Sequence, residues 1–107
     1  MRAEAVPLTF MPAYIIARVA VNDWSRYREY TKATPAVIER YGGRFIVRGG
    51  DTVTLEGEPE NRRLVVIEFP TMEQARQFYH SPEYSKVKEL RAGAAVGQFL
   101  AVDGAKL

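Results

Sequence analysis

His80 is the one histidine in 107 residues, and therefore the one side chain whose ordinary pKa suits proton transfer near neutral pH. It stands between Tyr79 and Ser81, where one helical segment is expected to give way to the next. Arg48 and Glu68 are the second candidates. Counting back from the turn around Pro59 sets the ends of two strands side by side, so these side chains are expected to meet across a hairpin. A guanidinium there clamps a carboxylate or an enolate, while Glu68 orients it or acts as a base. Arg18 is expected on the same face. Tyr41, Tyr79, Tyr84 and Trp24 are expected to contact a ligand, because six tyrosines exceed what a small core needs and buried hydroxyls require partners. Each assignment has a structural competitor: an exposed helix-end histidine, an interface ion pair for Arg48 and Glu68, and core packing for Trp24.

Several chemistries are excluded by residue type. With no cysteine there is no disulfide, thiolate metal site or thiol nucleophile, and a single histidine without a carboxylate cluster makes no metal centre. Ser81 has no acid/base partner nearby in sequence and reads as a helix cap. The pairs Gly42-Gly43 and Gly49-Gly50 do not follow a strand into a helix as a phosphate loop would. No cofactor is expected. Fifteen basic residues against thirteen acidic give a formal charge of +2, and they are spread along the chain, so no polyanion is indicated. No apolar run approaches the ~20 residues of a membrane span. The opening MRAEAVPLTF carries charges at positions 2 and 4 and a proline at 7, unlike a signal peptide, which makes the cytoplasm the expected location.

The elements that must hold these residues follow from hydrophobic period. AYIIARVAV, 13 to 21, reads as a strand. Asp23 caps a helix whose stripe runs through Trp24, Tyr27, Thr31, Thr34, Ile38 and Tyr41. Pro35 interrupts that stripe and disturbs the bond to the carbonyl of Thr31, predicting a kink or a restart, and Gly42-Gly43 ends the helix. RFIVRG, 44 to 49, is a second strand, and after Gly49-Gly50-Asp51 the stretch TVTLEG is expected to resume it. RRLVVIEF, 62 to 69, returns as strand three. Thr71 and Gln74 have the spacing of a capping box, Ser81-Pro82 opens another helical segment, and QFLAV, 98 to 102, is the last strand.

The order β-α-β-β-α-β predicts a single α+β domain of ferredoxin-like topology, a four-stranded antiparallel sheet in the order 4-1-3-2 with its helices on one face. Alternation places Ile15, Ala17, Val19 and Val21 under the helices with Phe45, Val47, Val65, Ile67 and Phe69. Tyr14, Ile16, Arg18, Arg44, Ile46, Arg48, Val66 and Glu68 fall on the open face. Such a face is too apolar to stay wet, so a homodimer through the helix-free sheet is expected. RNA-recognition domains share this topology, and RYGGRFIV resembles their basic-aromatic octamer. That octamer belongs on strand three, whereas here the block forms strand two, so nucleic acid is not the expected partner.

Four ordered blocks, AYIIARV at 13 to 19, YGGRFIVRGG at 41 to 50, RRLVVIEFP at 62 to 70 and FYHSPEY at 78 to 84, strongly resemble the bacterial family of domain of unknown function 1330 in the dimeric α/β-barrel superfamily. The resemblance implies a protomer whose sheet joins that of a second subunit in a barrel. Wider relatives implied by it are cofactor-free monooxygenases, muconolactone isomerases and small ligand-binding domains. Residues 11 to 107 are expected to form the domain, with residues 1 to 10 an extension. The expected function is binding of a small aromatic or carbonyl molecule. The alternative is a cofactor-independent enzyme of monooxygenase or isomerase type.

Overall fold

Alternation in the first strand decides which layer each of its residues joins. In the computed structural model, which describes residues 11–105, β1 (Ala13–Val21) buries Ala13, Ile15, Ala17 and Val19 and leaves Tyr14, Ile16 and Arg18 half-buried on the other side. It is followed by α1 (Trp24–Arg40), β2 (Arg44–Arg48), β3 (Arg63–Phe69), α2 (Met72–Tyr79), α3 (Pro82–Glu89) and β4 (Ala95–Asp103). The strands form one antiparallel sheet in the order β2-β3-β1-β4, the expected ferredoxin-like arrangement. Val65, Ile67 and Phe69 of β3 join the β1 set beneath Tyr27, Tyr30, Ile38, Ala75, Phe78 and Tyr84 of the helices. Each fully buried aliphatic side chain there contributes about 1.5–3 kcal/mol of transfer free energy. The expectation for residues 1 to 10 lies outside the described residues.

Local signals set the helix boundaries. The Asp23 carboxylate accepts from the Arg26 amide, Thr71 Oγ1 from the Gln74 amide, and Ser81 Oγ from the Tyr84 amide, each supplying an orphan donor of the first turn. Gly42, at φ +82°, takes the left-handed position after α1, and its amide returns to the Glu39 carbonyl. Pro35 does not split α1: the helix runs through it for 17 residues. The cost appears instead at Thr31, whose carbonyl loses the amide that would bond to it from position 35.

Two expectations for the β2 region are corrected. TVTLEG does not resume the strand. Residues 49 to 62 form no strand, and Val53 and Leu55 stand 80% and 92% exposed, because no neighbouring strand offers its ladder groups to them. The second correction is a β-bulge. Arg44 and Phe45 pair with Glu68 and Ile67, but Val47 and Arg48 pair with Val66 and Val65, leaving Ile46 as the extra residue. Past the bulge the facing is inverted, so Val47 joins the open face and Arg48 the helix side.

Candidate functional site

That inversion turns Arg48 to the helix side, and the register sets Arg44 opposite Glu68, so Arg48 does not meet Glu68. Its Nη2 donates to the Thr31 carbonyl at 2.7 Å, and its guanidinium lies 4.2 Å from the centre of the Phe45 ring. Glu68 stays on the open face, where Arg44 Nε donates to it at 2.8 Å and Tyr14 Oη at 3.2 Å. Arg18, also on that face, pairs with Glu60 at 3.4 Å. The expected Arg48–Glu68 pair is thus replaced by Arg44–Glu68. The antiparallel register, which sets Arg44 opposite Glu68 and Arg48 opposite Val65, is the reason.

Arg48 lines a cavity of about 30 Å³ between α1 and the sheet. Its walls carry Tyr27, Tyr30, Thr31 and Thr34 from α1, Phe45 from β2, Arg63 from β3 and Tyr84 from α3. Period three to four on α1 sends Tyr27, Tyr30, Thr31 and Thr34 to one side, and alternation on β3 gives Arg63 the facing of Val65 and Ile67. Gly49, at φ +71°, makes room for that arginine, since a Cβ there would overlap the Arg63 guanidinium. Arg63 lies 5.8 Å from the centres of both the Trp24 and Tyr27 rings, and its Nε is buried without a hydrogen-bond partner. Neither Arg48 nor Arg63 is paired with a carboxylate among the described residues.

The Tyr27 and Tyr30 hydroxyls inside are neutral. Burial pushes the Tyr30 phenol well above its ordinary range, with the Tyr84 hydroxyl 2.7 Å away adding to the effect. Burial also raises Tyr27, although the nearby Arg63 and Arg91 guanidinium groups oppose it. The site can therefore offer two cations, phenol hydroxyls and aromatic faces to a small anion. Its enclosed space is that of a water or two. A larger ligand has to use the open groove outside, where Trp24, Gly49, Asp51 and Arg63 form the walls.

The other expected residues are not gathered here. His80 is the C-terminal cap of α2, exposed, and lines a second recess of about 200 Å³ with Tyr79, Arg76, Phe99 and Leu100. Tyr79 and His80 meet edge to face at 5.4 Å. Tyr41 Oη donates to the Glu83 carboxylate at 3.1 and 3.2 Å, tying the end of α1 to the start of α3. Tyr84 lines the cavity between α1 and the sheet, and Trp24, 47% exposed, lines the groove outside it. Of the expected set the structure brings Arg48 and Tyr84 to one cavity, with Trp24 beside it, and leaves His80 and Tyr79 at another.

The family model for the domain of unknown function (DUF1330) matches residues 12–105. The chain belongs to this family. No curated protein matches it. Among solved structures, the DUF1330 chain is similar to a protein of unknown function from Rhodopseudomonas palustris, at 20% identity and TM-score 0.71, over 91% of this chain and 85% of that one. It is similar also to SnoaB, a cofactor-independent oxygenase from Streptomyces nogalater, at 12% identity and TM-score 0.65, over 91% and 96% of the two chains. A dimeric ferredoxin-like protein of unknown function from Thermobifida fusca matches at 16% identity and TM-score 0.56, over 97% and 99%. At such identities the likeness is one of fold. No helix among the described residues of the DUF1330 chain is long and apolar enough to cross a membrane, and these residues hold no cluster of metal-ligating side chains.

Arg63 is the residue that reading the sequence missed. Its signal was present, because it shares the parity of Val65, Ile67 and Phe69, which places a cation among apolar residues on the helix side. Thr31 was placed on the stripe of α1 and marked as the carbonyl disturbed by Pro35, but its bond with Arg48 could not be read before β2 was placed.

Proposed function

We propose that this protein is a homodimer that binds a small aromatic or carbonyl anion at the mouth of the cavity between α1 and the sheet, in the groove outside it. The observation that carries the reading is the pair Arg48 and Arg63, two cations without a carboxylate partner among the described residues, set against neutral buried tyrosines. Arg48 holds the anion at the cavity mouth, Arg63 adds a second charge, and Trp24 in the open groove outside gives the aromatic body its contact. Dimerisation through the helix-free face is supported by Ile16, Val47, Val66, Leu100 and Val102, which make that face apolar between the charges of Arg18, Arg44 and Glu68. Titration with phenylacetate, followed by amide NMR shifts, tests the site. Wild type shifts residues of α1 and β3, and Arg63→Gln weakens binding at least fivefold. Absence of saturable shifts in wild type overturns the reading.

The second reading is a cofactor-independent enzyme on a substrate of the same class, and the likeness to SnoaB favours it. In that reading the neutral phenols act as hydrogen-bond donors to an enolate oxygen held by Arg48. His80 would serve a step only for a substrate reaching the second recess, so His80→Gln lowering turnover without changing phenylacetate affinity supports this version.

A further inference from the structure

Arg63 is the residue shared by the enclosed cavity between α1 and the sheet and the open groove outside it. Its Nη1 stands against Gly49, which lines the groove, whereas its Nε is buried without a hydrogen-bond partner. A cation partly withdrawn from water calls for a counter-charge in return. None of the residues lining the cavity is a carboxylate, and Arg63 forms no ion pair among the described residues. The phenols do not supply the charge either, because burial keeps Tyr27 and Tyr30 protonated. An anion from solution is left to do so.

Size and wall chemistry then narrow the ion. About 30 Å³ admits one or two water-sized bodies, which leaves no room for an organic acid or a tetrahedral oxyanion. Val65, Ile67 and Phe45 make much of the wall, so an ion that sheds its hydration readily is favoured over a strongly hydrated one. We propose that the cavity takes a single halide ion, chloride or bromide, on the inner side of Arg63. Arg63 Nε donates to it, and so does the hydroxyl of Tyr27, whose ring centre is 5.8 Å from the guanidinium carbon. The ion occupies the inside of a wall whose outer side faces the groove of the organic acid. No organic acid enters its test, so either reading can fail alone.

Chloride NMR line widths in the presence of the protein test the site. Wild type is expected to broaden the chloride line, with half-saturation on the order of 10 mM. Bromide should remove the excess width saturably, while sulfate at equal ionic strength lowers it less than twofold. Arg63→Gln should keep less than about a fifth of the excess width. Ala17→Val adds two carbons to the cavity wall without touching a charge, and should lower the excess width as far. Circular dichroism identifies which variants are folded, and either one suffices. No saturable broadening in wild type overturns the proposal. Equal displacement by sulfate and bromide puts the ion on the open surface and overturns the enclosed site, as does unchanged broadening in a folded variant.

Discussion

Arg48 donates to the Thr31 carbonyl, the group in α1 that Pro35 deprives of its helical partner. A strand residue thus repairs a helix defect 17 positions away in sequence. The repair predicts coupling. Arg48→Met in the wild-type background should cost about 1 kcal/mol in urea denaturation, the net worth of an exposed hydrogen bond. In Pro35→Ala, where the helix supplies its own donor, the same change should cost less than half of that. Equal costs in the two backgrounds would show that Arg48 contributes through its contact with Phe45 instead.

Tyr30 and Tyr84 hydroxyls satisfy one another at 2.7 Å in the buried layer. Tyr84→Phe removes one partner and should destabilise by about 1–3 kcal/mol, because the Tyr30 hydroxyl is left buried and unpaired. Adding Tyr30→Phe should recover part of the loss. Thermal unfolding of the two single variants and the double variant gives the comparison.

Gly49 seats the Arg63 guanidinium. Gly49→Ala should therefore weaken phenylacetate binding about as much as Arg63→Gln does, with little effect on the dimer. Calorimetric affinities for the two variants, alongside sedimentation, check this.

Glu60 accepts hydrogen bonds from the side chain and the backbone amide of Arg62, which hold its carboxyl down to about 2. Its folded value is below the ordinary 4.5, so the stabilisation is complete above that pH and disappears as pH falls toward 2. Glu60→Gln should unfold at lower denaturant than wild type near pH 7 and coincide with it near pH 2. A difference that persists unchanged at pH 2 would assign the effect to something other than the carboxylate charge.

Ile16 sits mid-strand on the open face, paired with Val66 on one side and Leu100 on the other. A dimer interface there should exceed ~1,000 Å² in total. Ile16→Glu places an unpaired charge in its middle and should yield a monomer in sedimentation at micromolar concentration. A monomeric wild type removes the homodimer from the proposed function.

What could be read from the sequence divides by range. The parity of β1 and β3, the caps at Asp23, Thr71 and Ser81, and the stop at Gly42 depend on neighbours within about four residues, and they appear as expected. The strand order followed from them through the handedness of crossovers. The bulge at Ile46 depends on which residues of β3 stand opposite, a relation between segments some twenty positions apart, and RFIVR alternates as well without it as with it. TVTLEG misled for the same reason: Val53 and Leu55 have the period of a strand, but a strand exists only where a neighbour completes its hydrogen bonds. The site inherits both limits. Tyr84 and Trp24 were legible as aromatics at helical spacing, whereas the partner of Arg48 depended on the bulge and that of Glu68 on the register of β2 against β3.

The extra residue in β2 works as a change of reading frame. Before it, Arg44 belongs to the surface offered to a second subunit; after it, Arg48 belongs to the cavity. Five residues therefore carry two addresses, and the separator between them is a single position. Were Ile46 instead paired with Val66 in plain alternation, Arg48 would turn out to the assembly surface and Val47 inward, so the chain would lose a ligand contact and bring an extra cation to the dimer together. Substitution in this strand can adjust one role at a time, but a shift in its register past Phe45 alters both.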